Sequence, residues 1–456
     1  MRKESENISL KYFGTDGFRG EYGKELTDAH AEAIGRFLGF HYGDGAAILI
    51  GKDTRWSSPL LESALIKGIR SAGGTAFRLG VCPTPAVSFM AKQGGVNAAV
   101  MITASHNPAC DNGIKLFGND GEKLPDEIIA ICEKFIDGKE NISKAEDLIK
   151  KDASGDGEKF VNVQHLIMRW EKQMISSTDG LDGLKIGLDC ANGATYDTAP
   201  RIFRALGAEV FTIGCEPDGE NINLDAGSTH PEALSRMVRR EGLDMGFAFD
   251  GDGDRCIAVD RSGAIIDGDG EMFILAKAMK EQGELTGDTV VCTVMSNGGF
   301  IRSLERLGIK CSITSVGDRF VAEEMRASGA ALGGEQAGHL IINDGSGNGI
   351  YTAIKLAELS KKTKKSLAEL TSGLTIYPQL TRSIRVKDKN AVMSNATLLE
   401  SVKSASDEIG ASGRILLRPS GTENLIRLMA EHKNPNKCKQ YVDKLAKIIE
   451  DIGKEL

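Results

Sequence analysis

The sequence predicts an α/β protein: three similar mixed α/β domains with mainly parallel sheets, then a small C-terminal α+β domain. Three observations carry this. A strand, helix, glycine, strand unit occurs three times. Each copy is followed by another apolar run that ends on a chemically rich loop, and beyond about residue 371 the pattern gives way to alternating, half-exposed strands. At 456 residues the chain is also too long for one hydrophobic core.

The first copy opens with AAILIGKD (46–53), continues through a helical stretch at 58–72 and Gly73-Gly74, and closes with TAFRLGV (75–81). The second runs LKIGLDC (184–190), a helix near 197–206, Gly207 and AEVFTIG (208–214). The third runs DTVVCTVMS (288–296), a helix near 299–307, Gly308 and IKCSITSVG (309–317). Strand, helix, glycine cap and strand make a parallel crossover. The runs that follow are AAVMITAS (98–105), MGFAFD (245–250) and ALGGEQAG (331–338). Ligand sites of open α/β sheets lie just beyond the carboxyl ends of such strands. LTRSIRVKD (380–388), RILLRPSG (414–421) and NLIRLMAE (424–431) alternate as antiparallel strands, with a helix between 391 and 409 and an amphipathic one at the end. The expected domains are 1–152, 153–256, 257–370 and 371–456. KKTKK (361–365) marks a solvated helix end.

Composition narrows the class. With 41% apolar and 26% charged residues the chain has the balance of a soluble globular protein. No apolar run approaches the roughly 18 residues of a membrane span and the first residues lack an apolar signal core, so a cytoplasmic, membrane-free protein is expected. Nine cysteines, scattered and never spaced CxxC, match neither a disulfide framework nor a zinc site. A net charge of −8 argues against a nucleic-acid partner.

Four islands carry chemistry. TASHNP (103–108) puts the Ser105 hydroxyl at the exit of a buried strand, where it can carry a phosphate once a base or metal acts on it. An ordinary turn capped by Ser105 is the alternative. DNGIKLFG (111–118) follows and brings Lys115 as a proton donor or phosphate partner. DGDGDR (250–255) offers Asp250, Asp252 and Asp254 at alternate positions, a spacing that converges on one small cation, and oxygen ligands suit Mg²⁺. An EF-hand needs Gly sixth and Glu twelfth and finds Arg255 and Arg261; a haloacid-type phosphatase is a lesser rival. A phosphoserine of about −2 beside three aspartates leaves about −3 even with a divalent cation, so an anionic substrate requires cations nearby. Arg255, Lys115 and Arg19 in FGTDGFRG (13–20) are the candidates, with a structural ion pair the other reading of Arg19. GGEQAGH (333–339) supplies Glu335 for sugar hydroxyls and His339 for proton transfer. RPSGTEN (418–424) supplies Ser420, Gly421 and Thr422, which with Arg418 and Arg427 form a phosphate cradle; a hairpin turn explains the glycine but not the arginines.

In order and spacing these islands resemble the four signature loops of the α-D-phosphohexomutase family, across essentially the whole chain. FGTDGFRG, DNGIKLFG, DAGSTHPE (225–232), VMSN (294–297), VGDRFV (316–321) and YPQL followed by RVKDK (377–389) resemble its phosphoglucosamine mutase branch. The resemblance implies a heart-shaped four-domain enzyme whose cleft takes one loop from each domain. It implies a phosphoserine at Ser105 and one Mg²⁺ per chain on Ser105, Asp250, Asp252 and Asp254, with Arg19, Lys115, Arg255 and His339 catalytic. His106, Gly317, Asp318, Arg319, Glu335, Ala337, Arg418, Ser420, Gly421, Thr422 and Arg427 would contact substrate. The implied reaction interconverts glucosamine 6-phosphate and glucosamine 1-phosphate, with a hexose 1,6-bisphosphate as intermediate or activator, in a monomer or homodimer. Phosphomannomutase/phosphoglucomutase activity on neutral hexose phosphates is the alternative; a silent Mg²⁺ and sugar-phosphate binder and a metal-dependent phosphatase are others. Ala337, Asn348 and Asn424 depart from the family pattern; Ala337 removes a hydroxyl that would reach the sugar.

Overall fold

A computed structural model describes residues 10–139, 160–343, 345–419 and 424–455. It divides into two compact units. One runs to Met295 and resumes at Lys310–Ser372; the other joins Ser296–Ile309 to the chain from Gly373 onward.

The first unit holds three sheets built to one plan. In the first, β1 (Phe13–Gly14), β2 (Gly17–Glu21), β3 (Ala47–Lys52), β4 (Thr75–Val81), β5 (Ala98–Ile102), β6 (Asp111–Gly118) and β7 (Phe160–Asn162) lie in the order β1-β2-β6-β5-β3-β4-β7. β3 is flanked by parallel β4 and β5, and β6 returns antiparallel to β5. In the second, β8 (Lys185–Asp189) has parallel neighbours β9 (Glu209–Ile213) and β10 (Met245–Phe249). β11 (Cys256–Asp260) then runs antiparallel to β10, and β12 (Ile265–Ile266) closes the edge. In the third, β13 (Thr289–Thr293) lies between β14 (Lys310–Thr314) and β15 (Leu332–Gly334), and β16 (Leu340–Ile342) returns beside β15. The expected repeat is therefore present three times, with an antiparallel fourth strand added in each.

The middle strands are apolar because both of their faces are covered. Every residue of β5 and β10 is buried. The helices Asp28–Tyr42 and Ser58–Ser71 cross at small residues: a Cβ on Gly35 would lie 2.3 Å from the Leu65 carbonyl oxygen, and one on Gly68 would lie 2.1 Å from that of Glu32. Among the described residues, no helix is long and apolar enough to cross a membrane.

The second unit contains β17 (Gln379–Arg385), β18 (Gly413–Pro419) and β19 (Leu425–His432) as an antiparallel sheet in the order β17-β19-β18. Ile384, Leu398, Ile426, Leu428, Val442 and Leu445 form its core with the helices Ala396–Ile409 and Pro435–Glu455. The single helix expected over 391–409 is two, Lys389–Met393 and Ala396–Ile409. Asp388 and Asn395 each cap a fresh N-terminus through their side chains.

Candidate active site

In each repeat the third strand turns into the antiparallel fourth, and those three turns are Ser105's, the aspartates' and Glu335's. β5 ends at Ile102, and the Ser105 amide donates to Thr103 Oγ1 at 2.9 Å. Ser105 is held at φ +52°, a left-handed conformation that costs a non-glycine residue about 1–2 kcal/mol. Its buried hydroxyl donates to Asp250 Oδ2 at 2.6 Å, with His106 Nδ1 at 3.2 Å.

The turn from β10 to β11 carries the three aspartates, all buried. Its glycines fill places where a side chain does not fit. A Cβ on Gly251 would lie 2.5 Å from the Ser105 carbonyl oxygen, and one on Gly253, at φ +70°, would lie 2.4 Å from Thr195 Cγ2. Oxygens of Asp250, Asp252 and Asp254 lie within 4.8 Å of one another. Thr84 Oγ1 donates to Asp252 Oδ2 at 2.6 Å, and Lys115 Nζ donates to the same oxygen at 2.8 Å and to Asp254 Oδ2 at 3.3 Å. Asp252 Oδ1 and Asp254 Oδ1 are buried without a hydrogen-bond partner. Burial, and then the charges of Asp254 and Asp252, push the Asp250 carboxyl well above the usual carboxylate range. Crowded carboxylates with unpaired oxygens fit a hard divalent cation, whose charge would relieve that repulsion.

Cations surround this cluster. Arg255 Nε lies 3.9 Å from Asp250 and 3.8 Å from Asp254; His339 Nδ1 lies 3.7 Å from Asp254. Arg19, Lys115 and Lys123 all pair with Asp16, the lysines at 3.2 and 2.7 Å. Arg19 Nε and Arg255 Nε are buried without an acceptor, so two guanidinium donors remain for an incoming anion. Burial lowers the His339 pKa, but Asp254 outweighs it and carries the group up to about 9. Burial, then the charges of Arg255 and Arg19, lower His106 to about 4. At neutral pH His339 is therefore cationic and His106 neutral. A cavity of about 250 Å³ opens here, lined in part by Thr84, Lys115, Lys123, Asp254, Asp318 and His339.

The Glu335 turn is seated on the aspartate loop. The Cys256 amide donates to the Gly338 carbonyl at 3.0 Å, and a Cβ on Gly338 would lie 2.0 Å from the Cys256 carbonyl oxygen. Glu335 Oε1 accepts from the Gly317 amide at 2.9 Å, and Asp318 pairs with Lys123 at 2.6 Å. Arg319 turns to Asp126 and Glu323. Ala337 is exposed. Asn348 caps the helix Gly349–Thr363, accepting from the Tyr351 amide at 3.0 Å; an aspartate there would accept the same bond.

The structure thus brings together Ser105, His106, Arg19, Lys115, the three aspartates, Arg255 and His339, with Glu335, Gly317 and Asp318 linked to them. In the second unit Arg418 and Arg427 stand directly opposite on β18 and β19, so both project from one face. Ser420, Gly421 and Thr422 lie outside the described residues. Sequence reasoning missed Asp16, Lys123 and Thr84. Asp16 had a signal: it stands three residues before Arg19 in FGTDGFRG.

Three repeats thus bring the same turn, from third strand to antiparallel fourth, to one centre, and comparison with known proteins supplies the family. The chain belongs to the phosphoglucomutase/phosphomannomutase family: its alpha/beta/alpha domains I, II and III match residues 10–142, 163–263 and 267–377, and its C-terminal domain matches 383–448. The phosphoglucosamine mutase of Streptococcus pneumoniae (strain CGSP14) is 46% identical over 452 residues, covering 97% of this chain and 99% of that one. Among solved structures, a phosphoglucomutase/phosphomannomutase family protein from Burkholderia thailandensis superposes with a TM-score of 0.78 at 24% identity, over 97% of this chain and 98% of that one. N-acetylphosphoglucosamine mutase from Aspergillus fumigatus, in complex with GlcNAc-6P and magnesium, superposes with a TM-score of 0.70 at 16% identity, over 98% and 96%.

Proposed function

We propose that the chain interconverts glucosamine 6-phosphate and glucosamine 1-phosphate by way of a phosphoserine at Ser105. The observation that carries this is the Ser105 hydroxyl 2.6 Å from Asp250, beside two buried carboxylate oxygens that accept no hydrogen bond. The 46% identity to a phosphoglucosamine mutase supports the choice of sugar.

In the forward direction the free hydroxyl of the 6-phosphate attacks phosphorus on Ser105. The new P–O bond to the sugar forms as the bond to Ser105 Oγ breaks, and the proton lost by the sugar is balanced by one returned to the seryl oxygen. The resulting 1,6-bisphosphate turns over, and its other phosphate passes to Ser105, leaving the 1-phosphate. Asp250, Asp252, Asp254 and Ser105 would hold one Mg²⁺, which supplies charge neutralisation at the transferring group. Lys115 is held charged: burial opposes this, but Asp16, Asp252 and Asp254 outweigh it. With Arg19, Arg255 and cationic His339 it offsets the charge of the phosphoryl oxygens. Glu335, Gly317 and Asp318 meet the sugar, joined by His106, Arg319 and Ala337. Arg418, Ser420, Gly421, Thr422 and Arg427 grip the phosphate that is not reacting.

The deciding experiment compares kcat/KM for glucosamine 1-phosphate, glucose 1-phosphate and mannose 1-phosphate. Glucosamine 1-phosphate is expected to lead by about tenfold or more, the discrimination available to a site that hydrogen-bonds one substituent. Parity with a neutral sugar assigns the chain to phosphomannomutase/phosphoglucomutase chemistry instead, and net release of inorganic phosphate makes it a phosphatase.

A further inference from the structure

Arg55 has no part in the cluster above, yet its side chain and that of its partner Asp53 are wholly buried. Both terminal nitrogens of its guanidinium are spent on backbone carbonyls in and just after one turn. Nη2 donates to the carbonyl oxygens of Ser105 at 3.0 Å and Asn107 at 2.8 Å, while Nη1 donates to those of Asp111 at 2.9 Å and of Pro108. Nε donates to Asp53 Oδ2 at 2.9 Å, and the other Asp53 oxygen accepts from the Arg55 amide at 3.0 Å and from Ser58 Oγ at 2.8 Å. The fork is thereby fixed before it meets the turn.

A second donor arrives from the repeat that carries the aspartates. Asn223 Nδ2 donates to the Ser105 carbonyl at 2.9 Å and to that of Asn107 at 3.1 Å. Gly251, between Asp250 and Asp252, lies against the same carbonyl: a Cβ there would come within 2.5 Å of Ser105 O and 2.8 Å of Asn223 Nδ2. The Ser105 carbonyl is therefore held from both repeats at once, at a residue whose φ of +52° the chain does not favour.

We propose that Arg55 and Asn223 are positioning residues for phosphoryl transfer, a clamp on the Ser105 main chain that fixes where its Oγ stands relative to the aspartates. Both act through the carbonyl, not on the reacting oxygen. The reason for arginine is geometric: a planar fork reaches four carbonyls that a lysine ammonium cannot span. The inference rests on Ser105 being the phosphoryl carrier.

The test uses Asn223→Asp, which keeps the shape and tolerates a positive φ but replaces the donor by an acceptor, and Arg55→Lys, which keeps a charge against Asp53. Wild type and variants are purified whole and compared by thermal melting, intact mass, kcat and KM per folded molecule, and the rate at which substrate removes phosphate from Ser105. The expected result for Asn223→Asp is a kcat lowered by about tenfold or more with KM within about threefold, an unchanged fold, and a Ser105 phosphate that discharges correspondingly slowly. Arg55→Lys shows the same split in its folded fraction. The clamp is overturned by unchanged kcat per folded molecule in both variants, by a loss confined to KM, or by a loss wholly accounted for by unfolded protein. A wild-type protein with no transferable phosphate on Ser105 overturns the proposed function itself, and does so whatever the variants show.

Discussion

Asp16→Asn isolates the charge hub of the site while preserving its shape. Asp16 faces Lys123 at 2.7 Å, Lys115 at 3.2 Å and the Arg19 guanidinium. At an effective dielectric near 20 the two lysine pairs have gross attractions of about 6 and about 5 kcal/mol. Most of this is recovered elsewhere, because Lys115 keeps Asp252 at 2.8 Å and Lys123 keeps Asp318 at 2.6 Å. Removing Asp16 also relieves its repulsion of Asp254, one of the charges acting on it. Breaking a buried pair costs about 3–5 kcal/mol, and the partial exposure of Asp16 brings the expected loss to about 2–4 kcal/mol. Arg19 bears the consequence, since no other acid is paired with it among the described residues. A guanidinium displaced by about 1 Å lowers kcat by about a hundredfold. Urea unfolding gives the stability change, and initial rates with glucosamine 1-phosphate give kcat and KM. An Asp16→Asn protein as stable as wild type with kcat within about twofold refutes the hub.

Other consequences are independent of that one. Arg418→Ala removes a guanidinium fork from the proposed cradle, and with charged hydrogen bonds worth about 1.5–3 kcal/mol each, KM for the sugar phosphate should rise about tenfold or more in initial-rate measurements. Treatment with a strong chelator should abolish turnover, and Mg²⁺ should restore it without refolding, as followed by activity and circular dichroism together. Glu271 is fully buried; burial, then the charge of Asp267, raises its carboxyl well above the usual range. The folded chain therefore holds this proton above the pH at which the unfolded chain releases it, and stability falls as pH rises from the unfolded value toward the folded one. Glu271→Gln removes this loss, so its stability advantage in urea unfolding should grow by up to about 1.4 kcal/mol per pH unit above about pH 4.3, and an advantage that does not change with pH contradicts the assignment.

The three repeats were legible because local rules and tertiary demands coincide in them. β5 and β10 are buried on both faces and so are spelled as unbroken apolar runs, and glycines such as Gly207 (φ +88°) and Gly308 (φ +70°) stand where the backbone needs a left-handed residue. The aspartate turn was legible for a related reason: its glycines are required by close contacts, so the alternation DGDGD is itself the imprint of the packing. The fourth strands β6, β11 and β16 were not read as strands: β6 is eight residues long and almost wholly buried, but Asp111, Asn112 and Lys115 break its apolar pattern, and β16 is only three residues long. Lys123 was missed because its partner Asp318 lies far along the chain, and Asp16, although its spacing to Arg19 was visible, because its pairing with Lys115 and Lys123 was not. Arg19 is ion-paired with Asp16, as its structural reading expects, and it also keeps a buried Nε with no acceptor. The grouping of Ser296–Ile309 with the C-terminal unit had no signal, since that helix follows the same local plan as its counterparts in the other repeats.

The most direct test of the central claim is intact and peptide mass spectrometry of the purified protein before and after incubation with glucosamine 6-phosphate. A single phosphate on Ser105 that labelled substrate removes and replaces is the expected result, absent in Ser105→Ala, which should fold and show no turnover. An unmodified Ser105 in active protein, or near-normal mutase rates in Ser105→Ala, contradicts the account.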